Sequence, residues 1–224
     1  MTHQKEVQSV DKPFVIFDMD GTLIDSMKYW REIGREYLER KGVTGDHEEL
    51  LERVQTMTML ESAATFRDLF DLPGTPYTIA EEMNDMIAQH YLTDIELKPG
   101  AAEYLHALRE QDVWLCVATA TPEPLAFACL DRLGIADCFA FILSCDEVNA
   151  GKERPDIFLE CAWRLGAEPE DIAVFEDAYY AARTAKNIGF YVVGVYDSDN
   201  ERHWSDMERI CDETVMSLEE MLYE

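Results

Sequence analysis

The chain has 224 residues, of which 47% are apolar and 29% charged, as is usual for a soluble globular protein. Its 46 acidic residues against 19 basic ones give a net charge of −27, which disfavours binding to nucleic acid and to anionic membrane surfaces. The negative electrostatic field of such a chain also repels phosphorylated molecules at long range, so any phosphate site must be made positive locally. The length is sufficient for a substantial core with a smaller appended unit.

The six cysteines form no Cys-x-x-Cys pair, and several of them lie inside apolar runs, as Cys116 does. This pattern favours buried free thiols in a reducing compartment. The N-terminus has no apolar signal core, and no apolar run approaches membrane-spanning length. We therefore expect a cytoplasmic protein.

The first apolar run, residues 14–17, predicts a strand that is buried on both faces, and it ends at Asp18-Met19-Asp20-Gly21-Thr22. A polar turn is one explanation for this motif, because Asp and Gly are common turn formers. However, two close carboxylates repel each other and are costly to desolvate. We favour a metal-assisted site in which one carboxylate oxygen is free to attack an electrophile.

The next comparable apolar run is residues 113–118, more than ninety residues later. A crossover helix needs only about a dozen residues, so a further unit has been inserted. Apolar positions at helical spacing within residues 24–98 predict four helices, separated by breakers such as Gly42 and Pro73-Gly74.

From residue 99 onwards, predicted strands alternate with amphipathic helices. The strands are expected at residues 113–118, 139–143, 172–175 and 190–195, and helices at 101–110, 124–133, 155–165 and 178–188. This alternation predicts a doubly wound parallel α/β sheet, which binds ligands beyond the carboxyl ends of its strands. The acidic tail from residue 197 is expected to add a short strand and helix.

Three further signals follow predicted strands. Thr119 ends one strand, where its hydroxyl and the amide of Ala120 suit phosphate oxygens. Lys152 precedes a helix and would offset carboxylate repulsion, and Glu176-Asp177 ends another strand. Taken singly, a structural threonine, an exposed loop lysine and a pair of helix-capping acids explain the same residues.

Together, the four motifs resemble those of the haloacid dehalogenase superfamily of phosphotransferases, in the subclass with an inserted α-helical cap. They occur in the family's order along the chain. The sequence departs from the family pattern at Glu153, where proline is usual, and at Ala178 and Ala181, where serine and glycine are usual. Glu153 adds a negative charge beside Lys152 and makes Arg154 a minor rival for the lysine's role.

The resemblance implies a Rossmann-like doubly wound parallel sheet formed by residues 1–23 and 99–224, with a four-helix cap at residues 24–98. It implies a magnesium-dependent phosphatase in which Asp18 becomes an aspartyl-phosphate and Asp20 protonates the leaving alcohol and then activates water. It also implies a substrate site and a Mg²⁺ site. Thr119, Ala120 and Lys152 would bind substrate, and Asp18, the carbonyl of Asp20, Asp177 and Glu176 (directly or through water) would bind Mg²⁺.

The expected substrate is a small phosphorylated metabolite, and the expected state is a monomer or a weak homodimer. Candidate cap residues near the substrate are Tyr29, Trp30, Met57, Thr58 and Arg67, although such positions more often form the core of a cap. A sugar phosphomutase of the β-phosphoglucomutase type is the alternative, but the mutases' Gly-x-Ser-Arg-type signature is missing around residues 55–63. A non-catalytic binding module would be expected to lose Asp18, Lys152 or Asp177, and all three are present.

Overall fold

In the computed structural model, residues 10–54 and 57–222 are described. The N-terminal segment 1–9, for which the sequence predicts no signal core, lies outside this range. So do Gln55 and Thr56, the first two residues of the segment 55–63 that lacks the mutase signature. Contacts between Cα atoms divide the chain into two compact units. One unit is Met27–Asp94, and the other consists of the chain on either side of it.

The larger unit is built on a six-stranded sheet in which every neighbouring pair is parallel. The strands are β1 (Phe14–Phe17), β2 (Trp114–Thr119), β3 (Ile142–Ser144), β4 (Ile172–Glu176), β5 (Tyr191–Val195) and β6 (Glu213–Val215), in the spatial order β3-β2-β1-β4-β5-β6. Its helices are α5 (Ala101–Glu110), α6 (Glu123–Arg132), α7 (Cys145–Val148), α8 (Asp156–Leu165), α9 (Tyr179–Asn187) and α10 (Trp204–Ile210). The predicted doubly wound α/β fold is confirmed.

The order of the strands fixes where a ligand site should lie. The chain moves outward from β1 to β2 and β3, then returns to β4 on the other side of β1. In open parallel sheets, such a reversal leaves a crevice at the carboxyl ends of the two strands involved. Phe17 is paired with Phe175 in the ladder, so the residues that follow β1 and β4 emerge side by side at this point.

Apolar residues of the strands fill the core on both faces of the sheet. Val15, Ile16 and Phe17 of β1 are fully buried, and Phe17 stacks on Phe175 with ring centroids 4.7 Å apart. Phe139 contacts the same Phe17 ring edge-on at 6.5 Å. The strand predicted at residues 139–143 is shorter than expected, since β3 begins only at Ile142. Just before it, the N–H of Ala140 donates to the carbonyl of Leu115, and the carbonyl of Phe141 accepts from the N–H of Val117.

The smaller unit consists of the four predicted helices. They are α1 (Met27–Arg40), α2 (Glu48–Val54), α3 (Met59–Phe70) and α4 (Pro76–Thr93). The helices α3 and α4 each begin with a capping box, at Thr58 and Thr75. Ile33, Tyr37, Phe66 and Ile79 are buried, as their helical spacing predicts. Across the part of the chain that the structure describes, no helix is both long and apolar enough to cross a bilayer.

Candidate active site

The carboxyl ends of β1 and β4 bring three acids together. Asp18 follows β1, Glu176 ends β4, and Asp177 comes next. They are 6%, 1% and 3% exposed, and each offers a carboxylate oxygen within 4.8 Å of the others. The backbone N–H of Asp18 donates to the carbonyl of Phe175 at 2.9 Å, which holds the two strand ends together. Three buried acids at this spacing form a candidate metal centre.

Lys152 is the buried cation of this cluster. Its ammonium donates to Asp18 Oδ1 and, at 2.6 Å, to Glu176 Oε1. Burial alone would lower the pKa of Lys152, but the charges of Asp18 and Glu176 outweigh burial and raise the pKa. The rival Arg154 instead donates to Asp156 at 3.0 and 3.1 Å, and its side chain is 62% exposed. The structure thus places Lys152, and not Arg154, against the acids.

The acids carry more negative charge than Lys152 offsets. Burial, opposed by Lys152 and reinforced by Glu176 and Asp20, raises the pKa of Asp18 to about 7. Burial also raises the pKa of Asp177, and the charges of Asp18 and Glu176 raise it further. Asp18 Oδ2 is buried and has no hydrogen-bond partner among the described residues. Such a group is costly unless something pairs with it, so the cluster fits a divalent cation.

Both carboxylate oxygens of Asp20 accept hydrogen bonds from hydroxyl groups. Ser26 donates to Asp20 Oδ1 at 2.7 Å, and Thr121 donates to Asp20 Oδ2 at 2.8 Å. Gly21, at φ 85°, lies in the turn that follows Asp20, and its N–H donates to the carbonyl of Ile24. This turn brings Ser26 back to Asp20. Ser26 directly precedes α1, the position of a cap, but the sequence did not reveal its contact with Asp20.

Thr119 ends β2 next to Asp20. Its hydroxyl accepts from the N–H of Thr121 at 3.0 Å and lies 3.4 Å from Asp20 Oδ2. Thr119 is fully buried, whereas the next residue, Ala120, is exposed just beyond the end of the strand. Both residues therefore lie at the same edge of the sheet as Asp18.

Further polar residues contact Asp177. Thr22 donates to Asp177 Oδ1 at 3.4 Å, and Asn200 donates to Asp177 Oδ2 at 2.6 Å. Thr22 belongs to the first motif, but Asn200 lies in the acidic tail and no pattern in the sequence singled it out. Its role is visible only in the fold.

All five candidate cap residues have partners inside the helical unit, where Met57 Sδ accepts from the hydroxyl of Thr65 at 3.8 Å. Tyr29 donates to the carbonyl of Asp94, Trp30 donates to the hydroxyl of Tyr91, and Thr58 caps α3. Arg67 donates to its neighbour Asp68. These contacts account for the residues as part of the helical unit itself.

Comparison with known proteins agrees with this geometry. Residues 14–189 match the family model of the haloacid dehalogenase-like hydrolases. The chain is 30% identical to the fructose-1-phosphate phosphatase YqaB of Escherichia coli over 189 residues, which is 81% of this chain and 95% of the relative. It is also 30% identical over 189 residues to the β-phosphoglucomutase of Bacillus subtilis, covering 81% of this chain and 82% of that enzyme.

A crystal structure of a Thermotoga maritima protein assigned as a β-phosphoglucomutase superposes with a TM-score of 0.82. The two chains are 28% identical, and the match covers 93% of this chain and 96% of the other. Enzymes of this family generally use a metal ion, and the acidic cluster of this chain is placed to hold one. The predicted family is thereby confirmed: the chain belongs to the haloacid dehalogenase-like hydrolases and is a phosphatase-type enzyme of that family.

Proposed function

We propose that the chain hydrolyses a small phosphate monoester, such as a phosphorylated sugar, through an aspartyl-phosphate on Asp18 with Mg²⁺ as cofactor. The observation that carries the proposal is the meeting of Asp18, Glu176, Asp177 and Lys152 where β1 and β4 end. The name of the Escherichia coli relative, a fructose-1-phosphate phosphatase, supports a sugar phosphate as substrate.

Asp18, Asp177, Glu176 and the carbonyl of Asp20 would hold the Mg²⁺. Carboxylate oxygens are ligands that Mg²⁺ prefers. Asp18 Oδ2, for which no described residue is a hydrogen-bond partner, offers one of them. Bound there, Mg²⁺ would neutralise charge on the phosphoryl oxygens and help to orient them.

In the first step, a carboxylate oxygen of Asp18 attacks phosphorus, and the bond from phosphorus to the alcohol oxygen breaks. Lys152 stabilises the ionised form of Asp18 through its hydrogen bond, and its charge offsets the charge that develops on the phosphoryl group. Asp20 donates a proton to the leaving alcohol oxygen. The hydroxyls of Ser26 and Thr121 fix the Asp20 carboxyl in place for this transfer.

In the second step, Asp20 takes a proton from water, and the water oxygen attacks the phosphorus of the aspartyl-phosphate. The bond from phosphorus to Asp18 breaks, which releases inorganic phosphate and restores both carboxyl groups. Thr119 and the backbone N–H of Ala120 would bind phosphoryl oxygens in both steps. The helical unit Met27–Asp94 would act as the cap that selects the leaving group.

Replacing the nucleophile tests this proposal. Asp18→Asn should abolish magnesium-dependent release of phosphate from sugar phosphates, and its circular dichroism spectrum should match that of the wild type. Asp137→Asn, at an exposed acid of the same unit, is the matched control and should retain activity. Wild-type rates in the Asp18→Asn protein would reject the assignment.

A sugar phosphomutase is the second candidate, because the Bacillus subtilis relative is a β-phosphoglucomutase. A mutase must return the phosphoryl group to sugar, whereas a phosphatase gives it to water. Sugar 1-phosphates incubated with the enzyme and Mg²⁺ should therefore yield inorganic phosphate. Formation of the 6-phosphate without loss of phosphate would favour the mutase.

A further inference from the structure

A turn in the tail places an amide against the candidate metal centre. After β5, Asp197 begins a 3-10 turn over Ser198–His203, and its Oδ1 accepts from the N–H of Asp199 at 2.9 Å. The N–H of Asn200 donates to the carbonyl of Asp197 at 3.1 Å, which closes the turn. The side chain of Asn200 then donates to Asp177 Oδ2 at 2.6 Å.

The start of this turn is tied to the first motif by Lys98. Its ammonium donates to Asp197 Oδ2 at 2.8 Å, to the carbonyl of Tyr196 at 2.8 Å and to the carbonyl of Gly21 at 2.7 Å. Asp197 is 5% exposed, and the Lys98 side chain is 13% exposed. An ammonium group has three N–H donors, and these three bonds use all of them. Lys98 thus joins the loop after β1 to the segment after β5.

We propose that Asn200 is a positioning residue for the metal centre, and that the Lys98–Asp197 ion pair holds the turn that carries it. This inference rests on the proposed function, since it assumes that Asp177 is a metal ligand. Asn200 fixes one oxygen of Asp177, and among the described residues the other oxygen, Oδ1, accepts only the long contact from Thr22. The carboxylate is then oriented before any ion arrives.

The chemistry of an amide suits this role. A lysine or arginine at position 200 would compete with a cation for the charge of Asp177, whereas an amide N–H donor binds one oxygen and adds no charge. Partners that orient the ligands of a metal typically change its affinity by about 10- to 100-fold when they are removed.

The test measures Mn²⁺ binding to the full chain, without substrate, by isothermal titration calorimetry. Asn200→Ala and Asn200→Leu both remove the donor, and the second keeps a side chain of similar size. Each should weaken Mn²⁺ binding by about tenfold or more. The turn is closed by backbone bonds, so the melting temperature of each variant in EDTA should stay near that of the wild type. Ser198→Ala, at an exposed position of the same turn, should bind Mn²⁺ as the wild type does.

A second measurement is the dependence of activity on Mg²⁺ concentration, which should not change if Asn200 only stabilises the fold. In Asn200→Ala, the Mg²⁺ concentration for half-maximal activity should rise by about the same factor as the Mn²⁺ dissociation constant. The KM for the phosphate ester at saturating Mg²⁺ should change little. If the wild type binds Mn²⁺ and the Asn200 variants bind it equally well, the inference is wrong and the proposed function stands. If the wild type itself binds no Mn²⁺ and releases no phosphate, both fall together.

Discussion

Removal of Lys152 should destabilise the protein in a way that a divalent cation partly reverses. The side chains of Lys152, Asp18 and Glu176 are 4%, 8% and 1% exposed. Lys152→Met would keep the bulk of the side chain but leave both carboxylates, with Asp177 beside them, without their buried cation. Breaking a buried ion pair by removing one partner costs about 3–5 kcal/mol.

This loss of stability corresponds to a decrease in the melting temperature. For a protein of this size, about 1 kcal/mol corresponds to about 2–4 °C, so the variant in EDTA should melt about 6–20 °C below the wild type. A cation at 100 times its dissociation constant contributes about 2.7 kcal/mol. Because the variant has the larger uncompensated charge, saturating Mg²⁺ should raise its melting temperature by more than it raises that of the wild type.

The assay is thermal unfolding by circular dichroism in EDTA and in Mg²⁺, with Lys186→Met as the control. Lys186 pairs with Asp212 at the surface, where their side chains are 37% and 25% exposed, and such a pair contributes at most about 1 kcal/mol. If Lys152→Met in EDTA melts no lower than Lys186→Met, then Lys152 does not offset the repulsion among the acids. Such a result would refute the role of Lys152 as the buried cation of the acidic cluster.

Two other predictions concern stability away from the site. In the helical unit, the ring nitrogens of His90 lie 2.7 Å from Asp94 Oδ2 and 2.7 Å from Glu36 Oε2. Burial lowers the pKa of His90, but the hydrogen bonds to the two carboxylates outweigh burial and raise the pKa above 6.5. The stabilisation from a pKa raised in the folded state is complete below the unfolded-state pKa and is lost as pH rises through the folded-state pKa. The free energy of unfolding of the unit in urea, measured by hydrogen exchange, should therefore fall above pH 6.5, and His90→Gln should make it depend less on pH. An equal dependence on pH in His90→Gln would contradict the assignment. In the larger unit, Gly100 has φ 80°, and a Cβ built on it would lie 2.4 Å from the backbone nitrogen of Glu219. Gly134 has a similar φ of 76°, but no atom of the described residues lies within 4 Å of a Cβ built on it. In urea denaturation, Gly134→Ala should lower the free energy of unfolding by about 1–2 kcal/mol, the cost of a left-handed conformation for alanine. Gly100→Ala should lower it by clearly more, because the new Cβ meets the backbone of Glu219. Equal losses in the two variants would show that the backbone at Glu219 moves away freely.

The residues at the strand ends could be predicted from the sequence because parallel topology leaves little freedom. Once residues 14–17 and 172–175 are strands of one parallel sheet, their carboxyl ends lie at the same edge. The register, with Phe17 paired to both Phe175 and Val117, then places Asp18, Glu176 and Thr119 close together. Four short motifs therefore named the three acids, Lys152 and Thr119, but not Ser26 or Asn200, which contact Asp20 and Asp177.

The boundaries of β3 could not be predicted in the same way. Phe139 and Phe141 are as apolar as strand residues, but Phe139 follows the 3-10 turn Ala136–Cys138 and packs on Phe17 from outside the ladder. Apolar character reports burial, and burial does not require backbone pairing. The predicted strand therefore included Phe139, which packs on the core before the backbone bonds to β2 begin at Ala140.

The residues that support the site left no signal of their own in the sequence. Asn200 and Asp197 lie in a polar, acidic tail whose composition is typical of a solvated surface, and Lys98 precedes a Pro-Gly breaker. Their contacts join positions 23, 99 and 77 residues apart, from Asn200 to Asp177 and from Lys98 to Asp197 and Gly21. No periodicity links such positions, so only the assembled fold reveals them.

The net charge of the chain and the charge of the site support the same conclusion about the cofactor. With a net charge of −27, the molecule as a whole repels a phosphate ester. Inside the site, three buried acids lie around the ammonium of Lys152. The three acids and Lys152 together still carry a formal charge near −2 when all are ionised, so the site would repel a phosphoryl group that itself carries up to two negative charges. A divalent cation brings that sum close to zero before substrate enters. Positioning and charge neutralisation are the main requirements of phosphoryl transfer, and this arrangement leaves the second of them to an ion that the acids are placed to bind.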